Sequence, residues 1–392
     1  MKILIAADTY YPHVNGASYF ARRLAYYLHR RGHHIRVIAP SRGFCNEVFE
    51  QDEVNVTGVR SMPALVYKNF RFSPRMIQGR AVQNAVLSWN PDIVHVQSHF
   101  FICKQVVKTA KKMGLPTIVT NHFMPENLIH YFPLPGFAKQ WLKAWGWKQL
   151  ANVFKDADIV TTPTRTAAQL LDKIGLNKEV LAVSCGIDLD RFHPLKGNGH
   201  LKLKYKIPED KKILLYVGRL DKEKNIDLIL HGFSQVAHLL DLHLVIAGKG
   251  AEEKNLKQLV HESGLGARAT FTGFVPDEQL PGLYAAAQCF IIAGTAELQS
   301  IVTMEAMASE LPVIAARAMA LPELVQHGVT GCLFEPGDET GIADCLTNVF
   351  QNETSRKEMG KASLLAIEKH DIRKIINQFE RIYQKLLCDY GK

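Results

Sequence analysis

At 392 residues and a net charge of +9, the chain exceeds one ordinary hydrophobic core, so two domains are expected. Seven cysteines, an odd number without a Cys-x-x-Cys pair, point to a reducing cytosol with neither structural disulfides nor zinc. No apolar run reaches membrane-spanning length. The charge is segregated: residues 1–150 hold 19 Lys and Arg against 7 Asp and Glu, a balance of +12 that leaves −3 for the remainder. An excess confined to one half indicates an anionic partner. An anionic membrane surface ranks ahead of nucleic acid, because no helix-turn-helix, zinc-finger or aromatic RNA-binding signature accompanies the basic residues.

Residues 1–8 read as a short strand cut by Asp8, not as a signal peptide. The loop 10–18 follows, with Asn15 and Gly16, where Asn tolerates a left-handed backbone and Gly lets a ligand approach. As a plain turn, Asn-Gly needs no function. A helix runs from this loop to Arg31 and Gly32 ends it. Strand signals at 2–6, 34–39, 93–96, 117–120, 159–162 and 180–183 alternate with helical stretches, the pattern of a doubly wound parallel sheet. Within this half, 67–75 is a basic aromatic loop. The helical stretch 137–150 sets Trp141 and Trp145 one turn apart beside Lys139, Lys143 and Lys148. Such mixing suits a helix on a membrane interface, although tryptophans packed inside the domain are the alternative.

Pro194, Gly197 and Asn198 interrupt the pattern in a linker at 188–198. A second strand series then starts at Ile213 and continues at 242–247, 269–272, 289–293 and 312–316. A last amphipathic helix covers 371–387.

Chemistry concentrates in loops after strands. Following 212–217 comes Gly-Arg-Leu-Asp-Lys-Glu-Lys-Asn, then a helix over 226–240. A basic loop there suits an anionic ligand. Arg219 offers a planar fork and Lys224 a point charge, and both outrank Lys222 and Glu223, which read as a solvated charge run. Ser300 caps a short helix whose N-terminal amides, from Leu298 through Gln299, Ser300 and Ile301 to Val302, attract phosphate. Glu297 precedes that helix and Glu305 points back from its second turn. Two carboxylates flanking an anion site suit a nucleotide sugar, with hydroxyls at both ends and a diphosphate between. His95 and His99 have metal-like spacing, but strand context argues against zinc. The Asp156/Asp158 and Asp188/Asp190 pairs read as chance. Gly248 and Gly250 lack the third glycine and the ribose-binding acid of a dinucleotide fingerprint.

Taken together, Glu297 and Glu305 with seven residues between them, Leu311-Pro312-Val313, Gly218-Arg219 with Lys224-Asn225, Gly248-Lys249-Gly250, 271–275, Cys185-Gly186-Ile187-Asp188 and Leu321-Pro322-Glu323 resemble the retaining GT-B glycosyltransferases of the family 4 type. That group includes phosphatidylinositol mannosyltransferases and diacylglycerol glycosyltransferases. The resemblance implies an α/β fold of two Rossmann-like doubly wound domains facing a cleft. An acceptor-binding domain would cover 1–190, a nucleotide-sugar domain 191–370, and a C-terminal helix at 371–392 would return to the first domain. Gly16, Gly248, Phe274, Val275 and the 297–301 segment would bind the donor, with Phe274 and Val275 near the base and Glu305 on the ribose. His122, just past a strand end, matches the histidine that lies against the donor sugar. Arg219 and Lys224 would replace a metal, so no cofactor is expected beyond the nucleotide sugar. Ser300 stands where the family often has Gly, and Glu310 replaces the Gly before Leu-Pro.

The expected activity is hexosyl transfer with retention from a UDP-hexose, or from GDP-mannose, to a membrane lipid such as diacylglycerol. A soluble sugar or polysaccharide acceptor is the alternative, and a non-catalytic nucleotide-sugar binder is the alternative from another class. The expected location is cytoplasmic, peripheral on the inner membrane face.

Overall fold

The computed structural model describes residues 1–12, 15–63, 71–126, 135–176, 178–195 and 199–391, with only the backbone at 75–78 and 199–200. Most of the basic aromatic loop at 67–75, and residues 197 and 198 of the linker, therefore lie outside the described residues.

The chain forms two compact units, one of residues 1–186 with 373–392 and one of residues 187–372. In unit 1 the strands are β1 Lys2–Ala6, β2 His34–Pro40, β3 Glu47–Gln51, β4 Val54–Val59, β5 Met62–Pro63, β6 Arg71–Phe72, β7 Ile93–Val96, β8 Thr117–Thr120, β9 Ile159–Thr162 and β10 Val180–Ala182. Eight of them form one sheet in the order β10-β9-β8-β7-β1-β2-β4-β3, while β5 and β6 pair separately. The sheet is parallel except where β3 runs antiparallel to β4. Strands β7 and β8 are buried at every position, because helices cover both faces of a parallel sheet and continuous apolar runs fill it. Sequence reading missed β3 and β4. Strand β3 sits at the sheet edge and its Glu47 and Glu50 mask the period.

Unit 2 holds β11 Lys212–Val217, β12 Leu242–Ala247, β13 Ala269–Gly273, β14 Cys289–Ile292, β15 Val313–Ala316 and β16 Gly331–Phe334. Their spatial order is β13-β12-β11-β14-β15-β16, all parallel. Counted within the unit this is 3-2-1-4-5-6, the doubly wound dinucleotide-fold order. Gly331 made the short strand β16 illegible as a strand.

Two expectations need correction here. Cys332 on β16 and Cys345 on the helix Glu339–Gln351 form a disulfide, with Cα atoms 5.6 Å apart. The expected absence of disulfides rested on local spacing, whereas these cysteines, 13 positions apart, meet because that helix packs back along the sheet. The helix predicted over 226–240 ends at Val236.

The last helix, Ile372–Asp389, belongs to unit 1 from Arg373 onward. Its Phe379 and Tyr383 are fully buried, with Phe379 against Phe20 and Tyr383 against His95. Arg31 pairs with Glu380 on the same helix. His95 lies between the Tyr383 hydroxyl at 2.7 Å and Thr120 Oγ1 at 2.6 Å, so both ring nitrogens are engaged in structure.

Candidate functional site

The sheet of unit 2 changes its direction of growth between β11 and β14, which lie side by side with Leu214 opposite Cys289. Loops diverge at such a switch point, and open α/β sheets take ligands there. The loop after β11 carries Arg219 and Lys224; the loop after β14 carries Glu297. They meet in an ion pair of Lys224 Nζ with Glu297 Oε1 at 2.6 Å, with side chains only 20% and 14% exposed. A Cβ on Gly294 would lie 3.1 Å from Glu297 Oε1 and 3.6 Å from Lys224 Cδ, so the pair rests on bare backbone. Asn225 Nδ2 donates to the Ala293 carbonyl at 3.0 Å and ties the loops together.

Arg219 is oriented by acids that sequence reading passed over. Its guanidinium donates to Asp221, and to Glu223 Oε1 at 2.8 Å. The Glu223 side chain is 4% exposed, so its reading as solvated is corrected. Burying a carboxylate is tolerated because Arg219 supplies the compensating charge. The spacing from Arg219 to Glu223 was the available signal. Buried Tyr216 donates to the Arg219 carbonyl at 2.9 Å. Gly248 and Gly250 serve packing: a Cβ there would fall 1.8 Å from the Gly218 carbonyl oxygen and 2.3 Å from that of Leu220. Only glycine permits that approach between the two loops.

Ser300 caps the helix Ile301–Ala308, its hydroxyl accepting from Thr303 N at 3.3 Å and from the Thr303 hydroxyl at 2.8 Å. Leu298 and Gln299 are buried just before it, and Ile301 opens the helix. Glu305 is buried and accepts from the Tyr284 hydroxyl at 2.9 Å. Burial, then the Glu305 carboxylate, pushes the Tyr284 phenol well up, so it stays a donor. Nothing in the spacing marked Tyr284, which reaches Glu305 from the helix Leu280–Ala286. Glu310 takes φ +62°, the left-handed conformation in which Gly is strain-free. After β13, Phe274 is exposed and Val275 buried.

In unit 1 the corresponding switch point lies between β1 and β7. Asn15 is extended, with φ −154°, instead of left-handed as expected. Its side chain accepts from Ser18 N at 2.9 Å and caps the helix Gly16–Arg30, so Gly16 becomes the first helical residue. His13 and Val14 of the same loop lie outside the described residues. His122 follows β8. Its Nε2 lies 3.0 Å from Gln97 Oε1, its Nδ1 3.8 Å from Cys185 Sγ, and its ring 4.8 Å from that of Phe20. Burial lowers its pKa to about 3.

The helix Gly136–Phe154 buries Trp147, Leu150, Val153 and Phe154. Phe137, Trp141 and Trp145, spaced by four, form a stripe on its outer side, 79%, 67% and 48% exposed. Lys148 lies on the side of the stripe, Lys139 falls about half a turn away from it, and Lys143 pairs with Glu126 at 2.7 Å. No described helix is long and apolar enough to cross a membrane. Among the described residues no group of His, Cys, Asp and Glu is arranged to hold a metal.

Two family descriptions match nearly the whole chain: Glycosyltransferase Family 4 over residues 14–191 and Glycosyl transferases group 1 over residues 200–364. The chain carries the two domains of a GT-B glycosyltransferase. The glycosyltransferase is 27% identical to the sulfoquinovosyl transferase SQD2 of Arabidopsis thaliana over 88% of its own length and 66% of that protein's. It is 27% identical to the alpha-monoglucosyldiacylglycerol synthase of Streptococcus pneumoniae, covering 85% of this chain and 75% of the relative. It is 28% identical to a GDP-mannose-dependent alpha-mannosyltransferase of Corynebacterium glutamicum, covering 93% and 84%. The fold is that of sucrose-phosphate synthase from Thermosynechococcus elongatus, with a TM-score of 0.82 at 20% identity over 99% of this chain and all of that one. Anabaena HepE in complex with UDP gives 0.79 at 19% identity over 98% and 100%.

Proposed function

We propose that this glycosyltransferase moves a hexose, with retention of configuration and without a metal, from a UDP-hexose to a membrane lipid such as diacylglycerol. The observation that carries the donor half is the Lys224–Glu297 pair at the unit 2 switch point. A cation and a carboxylate in contact match the junction of a nucleotide sugar, where a phosphate adjoins a hydroxyl-bearing ring. Lys224 and Arg219 neutralise the diphosphate as it leaves, Glu297 holds the hexose hydroxyls, and Glu305, steadied by Tyr284, accepts from the ribose. Phe274 and Val275 border the base, and the amides opening the helix Ile301–Ala308 add to phosphate binding. His122 contributes from unit 1 to recognition of the transferred sugar.

Attack comes from the face the leaving group departs. The acceptor oxygen bonds to the anomeric carbon, the carbon–oxygen bond to the diphosphate breaks with its electron pair passing to phosphate, and a phosphate oxygen takes the acceptor proton.

The exposed aromatic stripe of Phe137, Trp141 and Trp145 with Lys148 supports a lipid acceptor and an anionic membrane surface as partner. The unit 1 charge excess and the glycolipid-synthesising relative favour the same reading. Incubating the protein with radiolabelled UDP-glucose, other UDP-hexoses and GDP-mannose together with total membrane lipids, then separating the organic phase, tests donor and acceptor at once. Label in a lipid product is expected. Label only in water-soluble products would move the acceptor to the soluble class, and no turnover of any donor would leave a nucleotide-sugar binder.

A further inference from the structure

We infer that Gln97 is a positioning residue for His122, holding its imidazole with Cys185 as the neutral tautomer that carries its proton on Nε2. The inference rests on the proposed role of His122, but the tautomer itself is independent of that role.

Gln97 follows β7 directly and His122 lies two residues past β8, strands paired through Val96 and Val119. The Gln97 Oε1 atom, 3.0 Å from Nε2, has only lone pairs to offer, so the ring is the donor there. That leaves the Nδ1 lone pair facing Cys185 Sγ at 3.8 Å. Burial pushes the Cys185 thiol up to about 12, so it keeps its hydrogen and donates. The chain thus runs one way, from the thiol through the imidazole to the amide. The reverse polarity, with the Gln97 amide turned over and Nδ1–H given to the thiol sulfur, is the alternative that the nitrogen spectrum must exclude, since a thiol is weak both as donor and as acceptor.

The other groups facing this ring are Phe20, from the helix Gly16–Arg30, and His95 on β7. Burial lowers the pKa of His95 to about 3, so it brings no charge, while Arg23 acts on Cys185. Gln97 is itself buried, and its Nε2 has no hydrogen-bond partner among the described residues. A leucine would fill that space more comfortably, so the amide is explained by what its oxygen does to His122. The consequence is chemical. With Nε2 protonated and Nδ1 taken by a thiol, His122 has no site at which to receive the acceptor proton. It acts by the fixed placement of its ring and main chain, and the proton goes to the departing phosphate.

The test is nitrogen NMR of the full chain labelled with ¹⁵N-histidine, the His122 signal being identified by its loss in His122→Asn. A neutral ring protonated at Nε2 and unchanged from pH 8 to pH 5 is expected. Protonation at Nδ1, or titration near the ordinary histidine value, would overturn the assignment. In kinetics with UDP-glucose, or GDP-mannose if that is the donor, Gln97→Leu should lower kcat by about ten- to a hundredfold with donor KM unchanged, the effect of a misplaced group. Gln97→Glu keeps an acceptor for Nε2–H, so it should restore kcat and add an ionisation to the pH profile, because a carboxylate raises the imidazole pKa. Parental kcat in Gln97→Leu, or a loss that Glu does not restore, would reduce Gln97 to packing. If no donor turns over, the transfer reading fails while the NMR still decides the tautomer.

Discussion

In each unit a bond between two side chains joins the loops after two neighbouring strands at the candidate site, yet the two bonds differ in kind. In unit 2 it is the charged Lys224–Glu297 pair, flanked by Arg219 between Asp221 and Glu223. In unit 1 it is the neutral bond from His122 to Gln97, with His95 and His99 buried nearby. The charged bond spans the switch point between β11 and β14, whereas the neutral one lies one strand away from its own switch point, between β7 and β8. Unit 2 sets two cations among three carboxylates, whereas the His122–Gln97 bond of unit 1 joins two uncharged groups.

The comparison breaks first at Arg219. Arg219→Ala should lower turnover by about two to three orders of magnitude, as removal of a transition-state electrostatic contact does. It also removes the guanidinium that Asp221 and Glu223 face, so thermal denaturation should be followed beside the kinetics; full activity would remove the diphosphate assignment. Acid should act more on unit 1 than on unit 2, where burial lowers the pKa of His370 to about 4 and that of His243 as well. His95, His99 and His122 have folded pKa values lowered to about 3, chiefly by burial. Their contribution is complete above the unfolded value of about 6.5 and is lost as pH falls towards 3, at about 1.4 kcal/mol per pH unit for each. Denaturant midpoints measured across that window should fall with pH, and a flat profile would contradict neutral burial.

Within unit 2, Glu305→Gln should weaken binding of free UDP about tenfold, the range for a hydrogen bond to a charged group. Glu297→Gln should spare UDP affinity and damage transfer. Calorimetry showing equal losses would mean the two roles are misassigned. On the outer face of unit 1, Lys148→Gln should cost about 1 kcal/mol in binding anionic vesicles at low salt, and Lys139→Gln, about half a turn from the stripe, less. Lys143→Gln should cost less, since Glu126 already engages that lysine, and Trp141→Ala should weaken binding without unfolding. Parental sedimentation of the triple lysine variant would place the docking surface elsewhere. The smallest effect is expected at Glu310, where Gly should relieve the left-handed backbone and stabilise by up to about 1 kcal/mol. An unchanged melting temperature would show that the strain is already compensated.

The central strands were legible because buried apolar runs leave little alternative, and the Ser300 cap because its signal is local. What escaped was long-range. Tyr284 and Glu305 are 21 positions apart, Gln97 and His122 are 25, and neither partner has a spacing rule. Asn15 was read by its tolerance of an unusual backbone, when its side chain was the operative part. Glu223 was judged by its neighbours in sequence, though Arg219 beside it had already neutralised its burial.

The return of residues 373–392 to unit 1 has a consequence for synthesis. Unit 2 is one uninterrupted piece, complete once Ile372 has left the ribosome, whereas unit 1 waits for residues 373–392. Until Tyr383 arrives, His95 lacks its hydroxyl partner and Phe20 its Phe379 neighbour. The half translated first is therefore the half finished last, and during that interval its apolar surface is a natural client for chaperones.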